Sequence, residues 1–62
     1  MMTRQQLFNE CDMLQGNVNR MMVTDDPKDL WHNYEWACKR LSRIHQERVK
    51  ELEEKDNEDE NR

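Results

Sequence analysis

Apolar residues recur along this chain in alternating steps of four and three. Leu30, Tyr34, Ala37, Leu41 and Ile44 form one such row, and Leu7, Cys11, Leu14, Val18 and Met21 form an earlier one. This is the spacing of a helix face that packs on another helix, a heptad seam of the coiled-coil kind. Trp31, Cys38, His45 and Leu52 flank the later seam, and Phe8 and Met22 flank the earlier one. Both flanking rows widen the surface expected to be buried.

Local signals place two helices on these rows. Pro27 suits a first helical position, where its missing amide proton has no partner to lose. Asp26 before it can cap the helix, and Asp25 and Asp29 put negative charge at the positive end of the dipole. No Gly or Pro interrupts Leu30 to Leu52. Helix 2 is therefore read over about 27–55, roughly 43 Å long at about 1.5 Å per residue. At the other end, Thr3 and Gln6 have the spacing of a capping box, and Met2 can staple onto Leu7. Gly16, Asn17 and Asn19 are weak helix formers, with Gly16 costing about 1 kcal/mol relative to Ala. They lie off the seam, whose phase continues across them, so helix 1 is read as one piece over about 3–23.

Residues 24–26 form the short turn, which makes the pair an antiparallel αα-hairpin. Folding about position 25 or 26 brings Met21 near Leu30, Leu14 near Ala37 and Leu7 near Ile44. Helix 2 then overhangs helix 1 by about two turns, and Val49 and Leu52 on the overhang have no intrachain partner. Residues 56–62 are charged or amide-bearing throughout and read as a disordered acidic tail.

Composition sharpens this fold reading. Leu, Ile, Val and Phe are only ten of 62 residues, about 16%. A lone hairpin of this size buries too little to be comfortable. The expected architecture is therefore all-α, with hairpins paired into a four-helix bundle, most simply a homodimer. Its size, short turn and acidic tail resemble the layout of the small plasmid-encoded Rop RNA-binding dimers, a likeness of architecture and not of residues.

The net charge of −4 conceals three blocks: −3 over residues 1–38, +4 over 39–50 and −5 over 51–62. No apolar run is long enough for a membrane span, and residues 1–6 do not read as a signal peptide. Two cysteines without a scaffold spacing fit a reduced, cytoplasmic setting.

Candidate chemistry is sparse. Cys11 and Cys38 are expected on inward faces as small buried thiols, with a redox clamp as the sharper alternative. Cys38 and His45 are two turns apart, too far to share a zinc ion. His32 and Glu35 have ligand spacing but no matching pair on helix 1, and the acidic turn lacks the pattern of a calcium loop. Ser42 sits mid-helix with no nucleophile context. No metal, cofactor, small-molecule substrate or catalytic residue is expected, and the chain reads as non-enzymatic.

What remains is a surface. His32, Trp36, Lys39, Arg40 and Arg43 are expected to point away from helix 1, with Lys50 further along. Trp and Arg are enriched at binding hot spots. The first functional reading is a small regulatory or adaptor protein, a steric inhibitor or recruiter, that binds a partner protein through this face. Val49 and Leu52 would contribute from the overhang. The second is a nucleic-acid-binding homodimer whose Lys39, Arg40, Arg43, Arg48 and Lys50 contact phosphates and whose Trp36 stacks on a base. A simpler account makes Arg40 on Trp36 a surface cation–π pair. A self-masking switch, the acidic tail folded onto the basic band, ranks third.

Overall fold

The computed structural model of this chain describes residues 2–60, with side chains as far as Lys55. The described residues form two α-helices, α1 over Arg4–Val23 and α2 over Pro27–Glu60. Thr3 caps α1: its hydroxyl accepts from the Gln6 amide at 3.1 Å, and the Gln6 side chain accepts from the Thr3 amide at 2.9 Å. The capping box thus satisfies two amides that a helix start would otherwise leave unpaired. α1 closes where the Thr24 amide donates to the Arg20 carbonyl at 3.0 Å. The Thr24 hydroxyl then accepts from the Asp26 amide, and the Asp26 carboxylate accepts from the Lys28 amide at 3.1 Å. Asp26 is therefore the cap of α2, as the Asp-Pro pair predicts.

α2 continues to Glu60, beyond the end near residue 55 that its composition suggests. No Gly or Pro stands in its path, so nothing in the backbone stops propagation. Residues 61–62, the rest of the expected acidic tail, lie outside the described residues.

The helices run antiparallel and are joined in a definite register. Asn17 meets Asn33, Arg20 meets Asp29, Glu10 meets Arg40, and the Met2 amide donates to Glu47 at 2.9 Å. Past Glu47, α2 has no neighbouring helix. The molecule measures 55 × 18 × 15 Å. Its radius of gyration of 15.5 Å far exceeds the roughly 11 Å of a compact chain of this length.

The seam between the helices differs from the apolar rows read in the sequence. Its buried and half-buried positions are Leu7, Glu10, Leu14, Asn17 and Met21 on α1, with Asn33, Ala37, Arg40, Ile44 and Glu47 on α2. Among the described apolar residues, Leu7 alone is truly buried, at 8% exposure. Leu30, Tyr34 and Leu41, expected in the core, are turned out to solvent, as are Trp31 and Leu52. The cause is electrostatic. Carboxylates, amides and guanidinium groups on one side of each apolar row pair across the hairpin, and that rotates both helices away from the purely apolar register.

Candidate functional site

The rotation gives the hairpin two unlike faces. On one, a chain of polar contacts crosses between the helices. The Asn33 amide donates to the Asp29 carbonyl at 2.9 Å and accepts from Asn17 at 2.9 Å. Arg40 Nε donates to Asn17 at 3.1 Å, while its Nη1 donates to Glu10 at 3.2 Å and to the Met13 sulfur. Arg43 reaches the other Glu10 oxygen at 3.2 Å. Arg40 is thereby 17% exposed at its side chain, and among the described residues no buried side-chain polar atom lacks a partner. At the turn end, Arg20 Nε donates to the Asp29 carboxylate at 2.7 Å. That bond, with a second from Thr24, holds the Asp29 carboxyl below the ordinary aspartate value.

This arrangement corrects the expected binding surface. Arg40 and Arg43 do not point away from helix 1; both are tied to Glu10 on it. Further along, Arg48 pairs with Glu51, and Lys50 lies 3.9 Å from Glu47. Four of the five cations in the basic band are thus matched to carboxylates of the same chain, leaving Lys39 outside these pairs. His32, Trp36 and Lys39 do gather at one edge. Lys39 Nζ sits 5.2 Å and the Arg40 guanidinium 5.5 Å from the Trp36 ring, with His32 edge-on at 6.1 Å. Trp36 is 38% exposed and already covered by cations, the simple surface pair that its spacing to Arg40 allows. Val49 is half-buried and Leu52 exposed, both on the overhang.

The opposite face is the one that sequence reasoning misplaced into the core. α1 presents Phe8, Cys11, Val18 and Met22 there, and α2 presents Leu30, Trp31, Tyr34, Cys38 and Leu41. Phe8 is 66%, Trp31 61% and Leu41 57% exposed. Trp31 and Tyr34 stack at 5.5 Å between ring centroids, and with Met21, Pro27 and Leu30 they line an open apolar depression. A second depression lies further along, between Cys38, Leu41, Ser42 and His45. Cys11 and Cys38 are exposed free thiols on this face, not buried inward ones. The signal that could have found it was the doubling of the rows. Each helix carries two adjacent apolar stripes, wider than one neighbouring helix can cover.

The remaining chemistry is limited. Among the described residues no three His, Cys, Asp or Glu side chains converge as a metal site would require, and no helix is long and apolar enough to cross a membrane. The chain matches no family model, no curated protein and no solved structure.

Proposed function

We propose that this chain is a non-enzymatic interaction module, a small regulatory or adaptor protein that acts by laying its apolar face on another helical protein chain. One observation carries the reading: Phe8, Val18, Met22, Leu30, Trp31, Tyr34 and Leu41 are all exposed, and helical spacing sets them on the same side of the two helices. Contiguous apolar surface of this kind marks association sites, and helix-on-helix docking uses this three-four spacing. Pairing of the basic band with Glu10, Glu47 and Glu51 favours protein over nucleic acid as the partner.

Paired affinity captures test this reading. Wild-type chain and Leu41→Glu, both checked for helicity, serve as baits in nuclease-treated extract of the source cells. Proteins held by the wild type should be lost from Leu41→Glu yet retained by Trp36→Glu, and should resist raised salt. Identical catches from wild type and Leu41→Glu, or a catch that vanishes with modest salt, would overturn the reading.

A further inference from the structure

The order of residues on the apolar face narrows its occupant. Along α1 the face reads Phe8, Cys11, Gln15, Val18, Met22, and along α2 it reads Leu30 and Trp31, Tyr34, Cys38, Leu41. Each row is close to symmetric about its own centre. Reversing α1 about Gln15 sets Phe8 on Met22 and brings Cys11 to within one residue of Val18. Reversing α2 about Trp36 sets Trp31 on Leu41 and Tyr34 on Cys38. In the middle layers a small residue thus meets a larger one, as interdigitating layers require. The two centres also lie side by side in the hairpin. Asn17 is held to Asn33 and Glu10 to Arg40, which places Gln15 level with Glu35 and Trp36.

We propose that the face is covered by a second copy of this chain, laid on it antiparallel about a two-fold axis perpendicular to the helices at the level of Gln15 and Trp36. The inference rests on the reading of this face as a protein-binding surface and names its occupant. Two further observations support self-pairing. Accessible surface is 5307 Å², about 1,000 Å² more than a compact monomer of 7.7 kDa exposes. That excess is close to the roughly 800 Å² per partner that a stable interface covers. Gln15 falls on the axis, where an amide that both donates and accepts can bond to its own copy.

Sedimentation equilibrium on the full chain across a concentration series is the first measurement, and twice the 7.7 kDa chain mass is expected. Trp31→Glu with Leu41→Glu should weaken the pair by roughly a hundredfold or more, because four carboxylates, two from each copy, are left unpaired in the interface. A second variant fixes the axis. With Cys11→Ser and Cys38→Ser as background, Gln15→Cys should be joined copy to copy by a short bismaleimide, and Gly16→Cys, on the outer side, should not. A folded monomer at every concentration would overturn the second copy while leaving the face open to a different protein. A dimer untouched by the double Glu change would overturn both the inference and the reading beneath it. A dimer that the double change breaks, but that Gln15→Cys fails to crosslink, would overturn the proposed axis.

Discussion

At the scale of single residues, the side chains that matter most for the hairpin are polar. Asn33 is as buried as Leu7 and ties Asp29 to Asn17 across the seam. Removing it leaves the Asn17 amide facing the seam without its acceptor, so Asn33→Ala should destabilise the hairpin by about 1–3 kcal/mol. A urea melt followed by ellipticity measures this. Asp29 adds a dependence on pH. Its folded carboxyl titrates below the ordinary 3.8 because Arg20, and then Thr24, hydrogen-bond to the charged form. The contribution is complete above the unfolded value and is lost as pH falls from there through the depressed folded value. Wild type should exceed Asp29→Asn in urea midpoint at neutral pH, and the gap should close as the pH is taken below about 3.8. A constant gap down to low pH would show that the Arg20 contact is not its source.

At the scale of elements, both helices, their caps and the turn were legible in the sequence, because each depends on neighbours within a few residues. Thr3 with Gln6 and Asp26 with Pro27 act through local amides, and no tertiary context is needed to read them. The inward stripe of each helix was disclosed only in part: Leu7, Leu14, Met21, Ala37 and Ile44 do face the seam, whereas Cys11, Val18, Leu30, Tyr34 and Leu41 do not. Apolar periodicity assumes that the driest row wins. Here Glu10, Asn17, Asn33 and Arg40 satisfy one another across the hairpin, and a pairwise match between distant residues leaves no trace in the period of either helix. The same blindness sent Arg40 and Arg43 outward and Cys11 and Cys38 inward in the sequence reading. Gly16 shows the reverse, a position where local rules suffice. A Cβ there would meet nothing within 4 Å, so Gly16→Ala should raise stability by about 1 kcal/mol in thermal or urea melts, leaving the molecular mass unchanged.

At the scale of the whole molecule, the hairpin is inverted relative to a small globular domain. Its interior seam is half polar, and its largest apolar surface faces outward. An isolated fold of this kind has little to hold it, and an interface becomes part of the folding energy. The apolar face is therefore expected to control stability as well as recognition. The Trp36 edge, on the opposite side, would then remain accessible in an assembled pair, one copy on each outer surface.

The polar seam also divides the response of the protein to its solvent. Ion pairs such as Arg40 with Glu10 weaken as mobile ions screen them, whereas excluded salts such as sulfate strengthen apolar burial. Ionic strength thus pulls the two levels of organisation in opposite directions. In a sulfate-rich medium the ion pairs between α1 and α2 should weaken while the proposed association of apolar faces should strengthen, and dilute buffer should do the opposite.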